Sequence, residues 1–334
     1  EPHKKIICKS VEGVGLNYHY KIFYGESSAS EWSMNVTRYK KPLFFKATGP
    51  GSSQASSIGG QEIYFEGDFF GPTTNIYNSY ITADYGIFPD AWQPSSIHFP
   101  PYSAVCKVSV QNVKLTCFTS PGTGKNHSWK FSIAGQTPQE LFFHPSTSYG
   151  PPIIYEILQE DGEPFLSGRT SGNDKLIIVG NNFGVANHPT KHPLVTYGVD
   201  LVYGMVYTND SILSNSIFQG SSCSVTTAHT EITCYTAEGA GAAYLLQLIL
   251  DDQPSIVATT TYAVPVITSI DGPGSRGASE DGNQVIYIHG KNFGPNKTSS
   301  KSFLESVMYG EDGSEYIAPC VLHSHTLIKC TTVP

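Results

Sequence analysis

Hydrophobic and polar positions alternate along several short stretches of the chain. Downstream of glycine pairs, apolar residues recur at every second position: Tyr18, Tyr20 and Ile22; Trp129, Phe131 and Ile133; Tyr244, Leu246, Leu248 and Leu250. A period of two is typical of a strand with one buried face and one solvated face. Such strands, interrupted by glycine and proline, predict an all-β protein built of immunoglobulin-like sandwiches.

Six of the seven cysteines form sequence pairs whose members are 11, 11 and 10 positions apart. The pairs are Cys106 with Cys117, Cys223 with Cys234, and Cys320 with Cys330. Each pair brackets apolar residues around a polar centre, a pattern that indicates a hairpin, and mirrored positions of a hairpin allow a disulfide. The spacing differs from the paired C-x2-C of a zinc site. We therefore expect hairpin disulfides and an oxidising compartment.

Two glycine motifs repeat in step with the cysteines, with a period of about 110 residues. The pattern C-x4-G-x-G follows Cys8, Cys117 and Cys234. The pattern G-x-x-F-G occurs at residues 67–71, 180–184 and 290–294, after apolar runs that predict strands. Since Cys8 occupies the place of a second cysteine, we expect its disulfide partner about three positions before Glu1.

This ordered set of motifs resembles the IPT/TIG domain, the immunoglobulin-like fold shared by plexins and transcription factors. The resemblance covers essentially the whole chain in tandem copies. The first copy departs from it, with Asp68-Phe69 where the other copies have Asn before Phe. The resemblance implies tandem E-set sandwiches, and roles in recognition or scaffolding.

The motif register predicts the domain boundaries. Residues 1–40 would be the C-terminal part of one domain, residues 41–150 and 151–263 two complete domains, and residues 264–334 the N-terminal part of another. This arrangement predicts a segment of a longer tandem array, with linkers too short for free rotation.

Composition excludes some classes of protein. The net charge is −8, and no basic block is present, which argues against a nucleic-acid partner that depends on phosphate contacts. No apolar stretch approaches the roughly 18 residues that suggest a membrane span. Paired cysteines and acidic charge together argue against the intracellular DNA-binding members of the resembled family.

The sequence offers no catalytic motif. No G-x-S-x-G or glycine-rich phosphate loop occurs, and the close histidine pairs, His188 with His192 and His323 with His325, lie in predicted loops. Acidic turns such as Asp161-Gly162-Glu163 lack the spacing of a calcium loop. We therefore expect no enzymatic activity, no metal and no cofactor.

Candidate surface residues fall into two groups. N-glycosylation sequons begin at Asn35, Asn126, Asn209 and Asn296. An aromatic-rich stretch follows Gly71 and includes Tyr77, Tyr80, Tyr85, Phe88 and Trp92. The aromatic residues form either ordinary core strands with a packed loop, or an exposed patch that docks another chain or stacks on sugar.

Two classes of function remain. The first is a non-enzymatic extracellular or cell-surface structural protein, an adhesin, stalk or filament whose partners are other protein chains, copies of itself included, and N-linked glycans. The second is a carbohydrate-binding accessory array or a receptor ectodomain of the plexin type. Several domain copies in direct succession favour the first class.

Overall fold

The computed structural model describes residues 4–74, 80–87, 102–138, 143–187, 193–199, 218–255, 258–296 and 303–334. All the regular secondary structure of these residues is β-strand. The chain divides into two compact units, Glu1–Pro151 and Pro152–Pro334. The domain boundaries proposed from the motif register stay predictions.

The first unit contains a hairpin and a seven-stranded arrangement. Its strands are β1 (Phe23–Tyr24), β2 (Ser28–Ala29), β3 (Leu43–Thr48), β4 (Glu62–Asp68), β5 (Ile81–Gly86), β6 (Tyr102–Val110), β7 (Lys114–Phe118), β8 (His127–Ile133) and β9 (Phe143–Thr147). β1 pairs with β2, and the remaining strands follow the order β3-β4-β7-β6-β5-β8-β9. The long strand β6 pairs with β5 near its start and with β7 further along, so it connects the two sheets of the sandwich.

Aromatic side chains fill the core between these two sheets. Phe65 on β4 and Trp129 and Phe131 on β8 are fully buried, at alternating positions of their strands. Phe44 stacks on Phe131 with ring centroids 4.2 Å apart, and Tyr85 stacks on Trp129 at the same distance. The period-two pattern of the sequence therefore marks the buried face correctly.

The second unit contains a second sandwich of this kind, followed by the first strands of a further one. Its strands are β10 (Ile153–Leu158), β11 (Lys175–Asn181), β12 (Leu194–Val199), β13 (Phe218–Gln219), β14 (Ser221–Thr227), β15 (Glu231–Tyr235), β16 (Tyr244–Leu250), β17 (Gln253–Pro254), β18 (Ala258–Thr260), β19 (Val266–Asp271), β20 (Val285–Lys291), β21 (Val307–Tyr309), β22 (Tyr316–Ala318), β23 (Cys320–Ser324) and β24 (Leu327–Thr331). The sheets have the orders β10-β11-β15-β14, β13-β12-β16-β17 with β18 also on β16, β19-β20-β24-β23, and β21-β22.

Each of three hairpins carries a disulfide. Cys106 bonds Cys117, Cys223 bonds Cys234, and Cys320 bonds Cys330. These bridges connect β6 with β7, β14 with β15, and β23 with β24. The expected fold class, tandem immunoglobulin-like sandwiches with hairpin disulfides, is confirmed.

Candidate functional site

A tyrosine closes each C-x4-G-x-G corner. Its hydroxyl donates to the carbonyl of the residue three positions after the motif's cysteine: Tyr39 to Val11 at 2.8 Å, Tyr149 to Ser120 at 2.5 Å, and Tyr262 to Ala237 at 2.8 Å. Its backbone N–H donates to the carbonyl of the second glycine of the motif, at 2.9 to 3.0 Å in all three copies. Tyr149 and Tyr262 also form parallel bridges, to Ala55 and Gly168. The corner thus ties the last strand of a repeat to its disulfide hairpin.

The first glycine of this motif makes room for an aromatic ring. A Cβ on Gly13 would lie 2.7 Å from the ring of Tyr39, and one on Gly239 would lie 2.5 Å from the ring of Phe218 and 2.7 Å from that of Tyr262. On Gly122 the obstructing ring is that of Tyr102. Because ring and backbone are in contact here, a larger residue would displace the ring.

The G-x-x-F-G corner is equally crowded. A Cβ on Gly67, Gly180 or Gly290 would lie within 2.1 Å of a carbonyl oxygen of the strand that opens the repeat. The residue before the phenylalanine adopts the left-handed conformation in every copy: φ is 66° at Phe69, 62° at Asn182 and 63° at Asn292. Asparagine tolerates this region whereas a bulky aromatic residue does not, so the first copy's departure from the pattern places strain at Phe69.

These two corners meet where residues 4–40 contact the seven-stranded sandwich of the first unit, a contact that we name joint one. Val14, between the two glycines of its motif, is 2% exposed and packs on Gly71, the last glycine of G-x-x-F-G. The buried Gln136 bridges the same place: its Nε2 donates to the Tyr39 carbonyl at 2.8 Å, and its Oε1 accepts from the Gly15 N–H at 3.2 Å.

The same contact recurs in the second unit, between β10–β18 and the strands from β19 onward, and we name it joint two. Ala240 takes the place of Val14 and faces Gly294, on which a Cβ would lie 2.9 Å from that of Ala240. His325, in the disulfide hairpin turn, reaches across: its Nδ1 lies 3.0 Å from Thr170 Oγ1 and its Nε2 lies 3.6 Å from Glu238 Oε2. Sequence reasoning assigned His325 only to a solvated loop, because the contact joins positions far apart in the chain.

The outward face of the β1–β2 hairpin carries an exposed cluster, which we name the Lys21 cluster. Lys21 Nζ lies 5.7 Å from the ring centroid of Phe23 and 5.4 Å from that of Trp32. Phe23 is 75% exposed and Trp32 is 61% exposed. A cation between two aromatic faces is an attractive arrangement. Sequence analysis missed it, although the alternation places Lys21 and Phe23 opposite the apolar positions of the strand.

The aromatic stretch selected from the sequence does not form one exposed patch. Tyr80 is 56% exposed, but Tyr85 is 1% exposed, and its hydroxyl lies 2.6 Å from that of Tyr149. Burial raises the pKa of both phenols. The proposed role of Tyr85 at an interface was wrong, because its ring belongs to the core. Tyr77, Phe88 and Trp92 lie outside the described residues.

Asn35, Asn126 and Asn296 are exposed, whereas Asn209 lies outside the described residues. Cys8 is exposed and has no disulfide partner among the described cysteines. Glycosylation of these asparagines and the pairing of Cys8 with an upstream cysteine stay predictions.

The described part of the chain brings together no group of three or more His, Cys, Asp or Glu side chains placed to hold a metal ion. None of its residues forms a helix of the length and apolarity that crossing a bilayer requires.

No family model and no curated protein matches the chain in sequence. Among solved structures, the full extracellular region of plexin A4 is similar over 87% of this chain and 21% of its own, with 14% identity and a TM-score of 0.25. A protein crystallised with a xylogluco-oligosaccharide is similar over 87% of this chain and 54% of its own, with 11% identity and a TM-score of 0.34.

A third similar structure is SGBP-B from a complex xyloglucan utilization locus in Bacteroides uniformis. It covers 87% of this chain and 86% of its own, with 12% identity and a TM-score of 0.23. The chain spans about a fifth of the plexin region and about half of the oligosaccharide-bound protein. All three TM-scores are below 0.5.

Proposed function

We propose that this chain is a segment of a non-enzymatic extracellular structural or adhesion protein, whose tandem sandwiches form a rod, stalk or filament through protein–protein contacts. The observation that carries this proposal is the recurrence of one joint. In both units, the residue between the glycines of G-x-G contacts the last glycine of the next G-x-x-F-G, at Val14 with Gly71 and at Ala240 with Gly294.

A recurring joint supports a scaffold because it restricts rotation where one sandwich leads into the next. The contact that the two joints share comes from a glycine backbone and a short side chain, Val14 or Ala240, which has little rotamer freedom to lose. At joint two the linker itself is held, since Asn292 Nδ2 donates to the Val264 carbonyl at 3.1 Å. A disulfide in each of three hairpins suits an oxidising extracellular setting.

The test is electron microscopy of the native full-length protein, combined with intact mass under non-reducing conditions. We expect regular assemblies in which chains contact one another, with the paired cysteines oxidised. A monodisperse monomer at high concentration that binds polysaccharide on a glycan array would overturn the structural role in favour of a carbohydrate-binding array. Paired cysteines that are reduced in the native protein would overturn the extracellular location.

A further inference from the structure

The Lys21 cluster faces away from the side of the hairpin that other copies bury. Counted from the G-x-G motif, Tyr20 and Ile22 correspond to Trp129 and Phe131, which lie in the core. Lys21 lies between them, so it points to the opposite face, as does Phe23. The position of Phe23 is taken by serine in β8. In β16 the positions of Lys21 and Phe23 hold Gln247, which is 5% exposed, and the half-buried Ile249. The exposed aromatic face is therefore a feature of this hairpin that β8 and β16 do not share.

The chemistry of the cluster favours a sugar over a protein surface. A protein interface that covered both rings would also have to desolvate the ammonium group between them, which is costly without an anionic partner. A pyranose instead presents C–H groups to the aromatic faces and hydroxyl oxygens to the ammonium, so neither the rings nor the charge is left unsatisfied.

A source of sugar lies three residues after Trp32. Two backbone pairs join this segment to the hairpin: Ser33 donates its N–H to the Tyr20 carbonyl, and Thr37 forms a β-bridge with Tyr18. Between these two pairs one side has only His19, whereas the other side has residues 34–36, which therefore form a bulge. The sequon asparagine Asn35 lies in this bulge and is exposed, and the neighbouring Met34 is 99% exposed. Ser33, the residue after Trp32, donates its Oγ to the Asn35 carbonyl at 2.7 Å, so the backbone of the bulge is held by the residue next to Trp32.

We propose that Asn35 carries an N-linked glycan whose first N-acetylglucosamine packs on Trp32, with Lys21 donating to sugar oxygens. The modification joins Asn35 Nδ2 to the anomeric carbon of a lipid-linked oligosaccharide. The lipid diphosphate leaves, and the amide loses one proton. The inference rests on the extracellular location in the proposed function.

Two other sequons of the chain serve as internal controls. Asn126 has Thr123 three positions before it and so lacks an aromatic neighbour at that spacing. Asn296 has Phe293 at that spacing, but Phe293 is buried in the core at 7% exposure. Asn296 therefore separates the effect of sequence spacing from the effect of an exposed ring.

The experiment uses the full chain secreted from eukaryotic cells, as wild type and as the Trp32→Ala and Trp32→Phe variants. Site-resolved mass spectrometry follows glycan release by a peptide N-glycosidase from the native fold and, as a reference, from denatured chain. We expect native release at Asn35 to be about threefold to tenfold slower than at Asn126, the range that one aromatic contact gives. Trp32→Ala should abolish this protection, and Trp32→Phe should retain part of it.

Other outcomes would contradict the inference at identifiable points. Occupied Asn126 or Asn296 with unmodified Asn35 would overturn this inference and leave the extracellular location intact, whereas no occupancy at any of them would count against both. Native release at Asn35 that is unchanged in Trp32→Ala would overturn the packing on Trp32. If Trp32→Ala is not secreted, acrylamide quenching of tryptophan emission decides instead. It should be stronger in Asn35→Gln than in wild type, and an equal value would overturn the packing.

Discussion

Joint one and joint two share a backbone contact but surround it with different side chains. In joint one, Val14 fills the space beside Gly71, and the Gln136 carboxamide bridges two backbone groups. In joint two, the smaller Ala240 faces Gly294, and His325 reaches Thr170 and Glu238. The glycines therefore set the geometry that the joints share, while the surrounding side chains set how strongly each joint is held.

The turn of the disulfide hairpin shows the same division of roles. In both units its backbone carbonyl accepts from the N–H of the motif phenylalanine, at Asn112 with Phe70 and at His325 with Phe293. The side chains then diverge. Asn112 Oδ1 accepts from the Gly71 N–H within its own repeat, whereas His325 extends to the preceding one.

The largest effect should come from adding a methyl group at the shared glycine. A Cβ on Gly71 would lie 2.1 Å from Val14 Cγ1, and φ is +90°, so Gly71→Ala combines overpacking with backbone strain. We expect a loss of about 2–5 kcal/mol in the unfolding free energy of the first unit. Gly294→Ala should cost less, about 1–3 kcal/mol in the second unit, because Ala240 leaves more space. Denaturant unfolding of the full chain, followed by hydrogen exchange of each unit, measures both.

A double variant converts one joint into the other. Val14→Ala copies Ala240, so adding it to Gly71→Ala should remove the overpacking and leave the backbone strain. The pair should then resemble Gly294→Ala. A double variant no more stable than Gly71→Ala alone would show that the two joints do not share one packing geometry.

An intermediate effect is expected from the bridging carboxamide of joint one. Gln136→Leu keeps the approximate volume but leaves the Gly15 N–H and the Tyr39 carbonyl without this partner. A buried group that loses its hydrogen bond costs about 1–3 kcal/mol. Exchange of the Gly15 amide should accelerate in this variant. The corresponding peptide around Gly241 in joint two should be unchanged, and equal acceleration at both would indicate general destabilisation instead.

The smallest effect is expected at the histidine of joint two. His325→Asn copies the residue of joint one at this turn and removes the contacts to Thr170 and Glu238. Both partners are partly solvated, so the loss should stay below about 1 kcal/mol. Hydrogen exchange of residues 236–241 would report it. A cost above that of Gln136→Leu would reverse the proposed ranking of the joints.

Periodic motifs predicted the sandwich correctly, because each reports a local requirement. Alternating apolar positions predicted the buried face of β8, and mirrored cysteines predicted the three hairpin disulfides. The sequence analysis did not identify the corner tyrosines, although each of them ends a T-x-Y segment, and their bonds to Val11, Ser120 and Ala237 appear only in three dimensions.

The joints themselves could not be read from the sequence. Val14 and Gly71 are distant in the chain, and neither valine nor glycine is a residue type that indicates a contact between repeats. Tyr85 shows the opposite difficulty: its aromatic character fits an exposed patch and a core equally well. Only the position of β5 between β6 and β8 shows that the ring is enclosed.

The corner tyrosines have a consequence under mechanical load. Tension along the backbone leaves a repeat through the strand that contains its tyrosine, and at Tyr262 this strand lies parallel to the segment at Gly168. The N–H of the next residue, Ala263, donates to the Gly168 carbonyl at 2.8 Å. A parallel pair pulled along its length is sheared, so its bonds share the force instead of opening one at a time. The Tyr262 ring lies against Gly239 and edge-on to Phe218, so the strand can slide only after these contacts break.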